Sequence, residues 1–153
     1  MKENITPCLW YNGQAKEAAA LYCSVFTDAK ITAQSPIVTS IDVAGQSFTL
    51  LDGGPMYKPN PSISFYYICE KADELDRAWN TLSKEGMVLM PLDKYPWSEK
   101  YGWINDKFGV SWQIIPTILS KLMSDPDKAG KAARAFMQMR KFDIEKLVQA
   151  SIA

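Results

Sequence analysis

The sequence contains no histidine at all. The absence of imidazole excludes mechanisms that use a Ser-His-Asp triad, a Cys-His pair, a histidine general base or a histidine-ligated zinc. An excess of charge is also missing, because 17 Lys and Arg balance 17 Asp and Glu. Nucleic-acid binding needs a basic surface, so we expect no nucleic-acid partner.

Long apolar runs and an even set of cysteines are absent too. No segment approaches the roughly 18 apolar residues of a membrane-spanning helix, and the first residues do not look like a signal peptide. The three cysteines, Cys8, Cys23 and Cys69, are widely spaced among apolar neighbours. This is typical of reduced structural thiols and not of a disulfide framework. We therefore expect a cytoplasmic protein with no membrane partner.

What the sequence does contain is an internal repeat. Apolar spacing and turn signals predict the order strand, helix, strand, strand, strand twice within residues 1–116. A shift of 57 residues, for example from residue 21 to residue 78, places the two halves on each other. The repeat predicts an α+β fold of two βαβββ modules, at about residues 1–55 and 56–116. Their strands would form a curved, mostly antiparallel sheet with the helices behind it.

Residues 117–153 have a different pattern. Their composition and capping residues predict a C-terminal helical extension. We expect it to pack either on residues 1–116 or on a dimer mate.

Several segments resemble a known family. They are residues 5–15, Asp52-Gly53-Gly54-Pro55 and, most specifically, residues 101–116 with the sequence YGWINDKFGVSWQIIP. They are similar to PhnB-like proteins, a subgroup often labelled 3-demethylubiquinone-9 3-methyltransferase-like. This subgroup belongs to the glyoxalase/bleomycin-resistance/dioxygenase (vicinal oxygen chelate) superfamily. The resemblance implies paired βαβββ modules, usually in a homodimer.

The resemblance also implies where a metal would lie. In the superfamily a divalent ion sits in a cup formed by the sheet and acts as a Lewis acid. The positions of its ligands fall here near Pro7, at Ser62 or Ser64, and at Gln113, which follows a turn that begins at Asp106. Proline, serine and one neutral amide are poor metal ligands. We therefore expect no cofactor and no standard metal site, with a divalent metal as the alternative.

Candidate ligand-binding residues follow from strand alternation. Successive side chains point to opposite faces of a sheet, which gives the inner face of the cup a defined set of residues. The cup candidates are Leu9, Ser64, Tyr66, Ser111 and Gln113, with Trp103 as a wall. An aromatic segment could close over the cup as a lid or pack on a neighbouring surface, and its candidates are Tyr95, Trp97 and Tyr101.

Together these patterns favour a protein that binds a small organic ligand in the cup, and they leave open whether it catalyses a reaction. One alternative is a metal-dependent lyase, isomerase or oxygenase. A methyltransferase is a second, although Gly53-Gly54 is the only pair of adjacent glycines and the chain has no glycine-rich nucleotide-binding turn. A third is an interaction module whose functional surface is residues 117–153.

Overall fold

The structure, a computed structural model, describes residues 4–94 and 100–116. Within them, eight strands and two helices alternate in the predicted order. They are β1 (Cys8–Tyr11), α1 (Ala15–Val25), β2 (Ala29–Gln34), β3 (Val38–Val43), β4 (Gln46–Asp52), β5 (Ser64–Cys69), α2 (Ala72–Leu82), β6 (Met87–Lys94), β7 (Lys100–Asn105) and β8 (Ser111–Pro116).

The strands form two mixed sheets. The order is β1-β4-β3-β2 in the first sheet and β5-β8-β7-β6 in the second. The pairs β1 with β4 and β5 with β8 are parallel, and the other hydrogen-bonded pairs are antiparallel. This confirms the α+β fold of two βαβββ modules, although the strands hydrogen-bond as two sheets of four and not as one ladder. The predicted C-terminal helices lie outside the described residues, so the boundary at residue 116 stays a prediction.

Helix α1 forms because its sequence is rich in alanine, the best helix former. The first backbone N–H, that of Ala15, donates to Asp52 Oδ1 at 2.8 Å. This carboxylate supplies the cap that Gln14, the residue before the helix, does not provide. Small side chains such as Ala18 and Ala19 are fully buried, which lets the helix lie close to the first sheet.

An aromatic cluster joins the two modules into one core. Phe48 of the first sheet meets Phe65 of the second edge to face, with ring centroids 5.1 Å apart. Phe26, which follows α1, packs on Tyr67 at 4.7 Å and on Trp112 at 5.0 Å. Aromatic pairs of this geometry contribute about 0.5–1.5 kcal/mol beyond their buried area. The modules are therefore packed together through rings on the helix-facing sides of both sheets.

Strand β6 differs from the sequence pattern, which predicts a strand that ends at Met90 because Pro91 follows. The strand instead continues to Lys94. It is an edge strand, and its register with β7 shifts between Val88 and Met90 and again between Met90 and Asp93. Proline is tolerated at edges and bulges, where its missing N–H leaves no ladder bond unmade.

No helix in the described residues is long and apolar enough to cross a bilayer.

Candidate functional site

The second sheet has one face that turns away from the helices, and we call it the open face. On β7, Gly102 lies against the ring of Trp79 in α2, so Trp103 occupies the other side of the strand. Trp103 is opposite Gln113, Gln113 is beside Tyr66, and Ser64 is beside Ser111. The structure thus brings five of the six cup candidates together on the open face: Ser64, Tyr66, Trp103, Ser111 and Gln113.

Hydrogen bonds link these side chains. The Tyr101 hydroxyl donates to Gln113 Oε1 at 2.7 Å, and Gln113 Nε2 donates to Ser64 Oγ at 2.8 Å. Trp103 Nε1 donates to Ser111 Oγ at 2.6 Å. Both serine hydroxyls act here as acceptors, so each can still donate its own proton. The open face therefore carries neutral groups that are oriented by hydrogen bonds within the protein before any ligand binds.

Leu9 does not share this arrangement. It is aligned with Leu50, which is fully buried, and it packs against the hydrophobic core. The prediction that Leu9 points to the same side as Ser64 is therefore wrong. Strand β1 has only four residues, which gives little alternation to read, and an error of one residue moves a side chain to the other face. Cys8 and Trp10 occupy the opposite face of β1.

Tyr101 also differs from its prediction as a lid residue. It belongs to β7, is only 1% exposed and donates a hydrogen bond to Gln113. The reason is that β7 begins at Lys100, so the connecting segment is shorter than the aromatic pattern indicated. The other two lid candidates, Tyr95 and Trp97, lie outside the described residues.

A cleft opens where β1 and β5, the edge strands of their sheets, approach each other. It has a volume of about 230 Å³, and we call it the junction cleft. Leu9 and Ser111 are the cup candidates that line it. The remaining lining residues are Cys8, Trp10, Tyr57, Lys58, Pro59, Asn60, Ser62, Ile63, Phe65 and Val110. Four of these ten, residues 57–60, were missed because they form an irregular connection with no periodic pattern.

Trp10 is held rigidly as one wall of the junction cleft. Its indole Nε1 donates to the Gly54 carbonyl at 2.8 Å. Its ring lies so close to Gly53 that a Cβ at this position would collide with it. Tyr57 packs against the ring edge to face at 5.1 Å. The missing side chain at Gly53 therefore allows the backbone to approach the indole.

Asp106 supports the base of the cleft from inside the core. Its carboxylate accepts hydrogen bonds from the Tyr22 hydroxyl at 2.6 Å and from Trp112 Nε1 at 3.0 Å. It also accepts from the backbone N–H groups of Phe108 and Val110 at 2.9 and 3.1 Å. Burial raises the pKa of Asp106, and these hydrogen bonds only partly oppose the effect. The carboxylate fixes the turn that leads into Ser111 and is turned away from solvent.

The groups at the positions where the family resemblance implies metal ligands do not fit a divalent ion. Gln113 Oε1 already accepts from Tyr101, and Ser64 accepts from Gln113. The backbone carbonyl of Pro7 accepts from the Thr49 N–H at 2.9 Å. Across residues 4–94 and 100–116, no three side chains of His, Cys, Asp or Glu come together. Neutral, hydrogen-bonded oxygens are a weak donor set for hard cations, and zinc needs nitrogen or sulfur ligands.

Comparisons with known proteins agree with this fold. A family model described as 3-demethylubiquinone-9 3-methyltransferase matches residues 3–115. A PhnB protein from Bacillus cereus is 33% identical with a TM-score of 0.68, and the similarity covers 74% of this chain and 99% of that chain. No curated protein sequence matches.

Two more distant structures share the fold alone. Lactoylglutathione lyase from Agrobacterium tumefaciens is 17% identical with a TM-score of 0.52, over 77% of this chain and 96% of that chain. The fosfomycin resistance protein FosX from Mesorhizobium loti is 14% identical with a TM-score of 0.57, over 80% and 99%. The match of the family model and the B. cereus relative show that this chain belongs to the PhnB-like, 3-demethylubiquinone-9 3-methyltransferase-like family of the glyoxalase/bleomycin-resistance superfamily.

Proposed function

We propose that this protein binds a small organic molecule in the junction cleft, without a metal ion as the anchor. The observation that carries the proposal is the Trp10 wall, which the Gly54 carbonyl and the Gly53 backbone hold in place. Small-molecule sites are concave, mostly apolar and largely formed before the ligand arrives, with a few placed polar groups. The junction cleft has this character, since most of its lining residues are aromatic or aliphatic and a few, such as Asn60 and Ser111, are polar.

The open face would extend this site. Ser111 belongs both to the junction cleft and to the hydrogen-bonded row of the second sheet. Trp103 Nε1 donates to Ser111 Oγ. This hydrogen bond restricts the directions in which the Ser111 hydroxyl can donate its own proton. A ligand that accepts a hydrogen bond from Ser111 would therefore meet a donor that needs little reorganisation.

The proposal is tested by ligand-observed NMR with a mixture of one-ring aromatic compounds and the full chain. We expect saturation transfer to at least one compound, and we expect the substitution Trp10→Phe to weaken it. Trp79→Phe is the matched control, because Trp79 lies against Gly102 and does not line the cleft. Absence of any binding, or binding that Trp10→Phe leaves unchanged, would overturn the proposal.

The two enzymatic alternatives have direct tests. The name of the matched family refers to a methyltransferase, and calorimetric titration with S-adenosylmethionine examines this activity. One-to-one binding of S-adenosylmethionine would favour a methyltransferase over a protein that only binds its ligand. For the metal-dependent alternative, elemental analysis of the purified protein is decisive, because a tightly held stoichiometric metal would contradict the metal-free proposal.

We also propose that the protein forms a homodimer. Large apolar side chains on the second sheet are exposed, among them Tyr66 at 65%, Ile68 at 48% and Met87 at 63%. Exposed apolar surface of this kind often marks an interface between proteins. Light scattering should give twice the chain mass of 17.2 kDa. A monomer at micromolar concentration would refute this proposal.

A further inference from the structure

The junction cleft carries one charged side chain, and that charge suggests the class of ligand. We infer that the cleft selects a small planar acid, an inference that rests on the proposed function. The apolar ring of the acid would lie against Trp10, and its oxyanion group would pair with the ammonium of Lys58. The inference follows from the size of the cleft, from its apolar wall and from the kinds of hydrogen-bonding group that remain available.

The size of the junction cleft limits the ligand to about one ring. Its 230 Å³ is below the range of roughly 300–1,000 Å³ that is usual for drug-sized molecules. The wall formed by Trp10 and Tyr57 is fixed by an edge-to-face contact at 5.1 Å. Aromatic walls favour planar partners, because offset and edge-to-face arrangements of rings are attractive.

The polar groups of the cleft are mainly donors. Trp10 Nε1 is already used by the Gly54 carbonyl, so the indole offers the ligand only its apolar surface. Asn60 Oδ1 accepts from the Ser62 N–H at 2.9 Å, which leaves the amide NH2 of Asn60 to donate. Ser111 accepts from Trp103 and retains its own proton.

The charge of the cleft has one sign. Lys58 is the one charged residue among the twelve that line the cleft, and no carboxylate is among them. A site rich in donors, with a cation and no acid, is complementary to an anionic acceptor. Charge-assisted hydrogen bonds are about twice as strong as neutral ones. A carboxylate and a phosphonate share this chemistry, and the experiment includes both.

The test uses the full chain at pH 7 with three probes: benzoate, phenylphosphonate and the neutral analogue benzamide. Dissociation constants come from NMR titration. Occupancy of the cleft is read separately from the rate at which iodoacetamide alkylates Cys8, an exposed thiol that lines the cleft. We expect one of the acids to bind about tenfold more tightly than benzamide and to slow the alkylation of Cys8.

Two lysine variants complete the design. Lys58→Met should reduce the affinity for the acid to that for benzamide, while Lys16→Met, in α1 and away from the cleft, should leave it unchanged. Equal binding of benzamide and the acids, with Cys8 protected by all three, would overturn the selection of an acid but leave the proposed function standing. If no probe binds or protects Cys8, the proposed function fails together with this inference.

Discussion

Replacing Tyr22 by phenylalanine should measure how strongly the two modules are joined. Tyr22 is fully buried in α1, and its hydroxyl lies 3.0 Å from the Tyr11 hydroxyl and 2.6 Å from Asp106 Oδ2. A hydrogen bond to a charged group contributes about 1.5–3 kcal/mol and a neutral one about 0.5–1.5 kcal/mol. Asp106 keeps its three other donors, so we expect a loss of about 2–4.5 kcal/mol.

Urea unfolding followed by circular dichroism is the appropriate assay. Tyr22→Phe should lower the midpoint without changing the slope, because the ring remains and packs on Trp112 at a centroid distance of 5.2 Å. Tyr57→Phe is the matched control, since Tyr57 is 60% exposed and should change stability by less than about 0.5 kcal/mol. A loss below about 1 kcal/mol for Tyr22→Phe would refute the reasoning, because it would mean that the buried carboxylate does not depend on this donor.

Three further predictions follow from buried groups and backbone conformation. Because the pKa of Asp106 is raised above 3.8 in the folded protein, the folded state binds the proton more tightly. The stability of the wild type relative to Asp106→Asn should therefore fall as pH increases from about 4 through the folded pKa; a rise over this range in urea titrations would contradict the assignment. Iodoacetamide should modify Cys8 first and Cys69 last, since Cys69 is buried and its pKa is raised to about 12 by burial; equal labelling by mass spectrometry would refute this order. Ala44 has φ of 51° in the turn before Gly45, so Ala44→Gly should raise the free energy of unfolding by about 0.5–1 kcal/mol, and no rise in the urea midpoint would disprove strain there.

The helices and the open face could be predicted because they depend on local periodicity. Helices α1 and α2 begin at residues 15 and 72 and end at residues 25 and 82, so the predicted shift of 57 residues holds at both ends. The repeat continues to β8, but the shift does not stay constant, since β8 begins 65 residues after the start of β4, at residues 111 and 46. Within β5 and β8, alternation predicts that Ser64, Tyr66, Ser111 and Gln113 share a face, and the strand pairing aligns Ser64 with Ser111 and Tyr66 with Gln113.

The junction cleft could not be predicted, because no local pattern specifies how two edge strands meet. Lys58 and Tyr57 lie in an irregular connection, where neither the helical nor the strand period applies. Leu9 was misplaced because β1 has only four residues, from Cys8 to Tyr11, and a short strand gives little alternation from which to fix its phase. A cleft formed by tertiary packing becomes visible only when both modules are in place.

The turn at Asp106 shows why resemblance to a family does not fix the chemistry of a site. The turn precedes the strand for which the family resemblance implies a metal ligand, yet the Asp106 carboxylate here ties Tyr22 and Trp112 to the backbone of Val110. Since Val110 lines the junction cleft, a substitution at Asp106 would change stability and cleft geometry together. Lys58 is exposed and belongs to no helix or strand, so its substitution separates ligand recognition from folding.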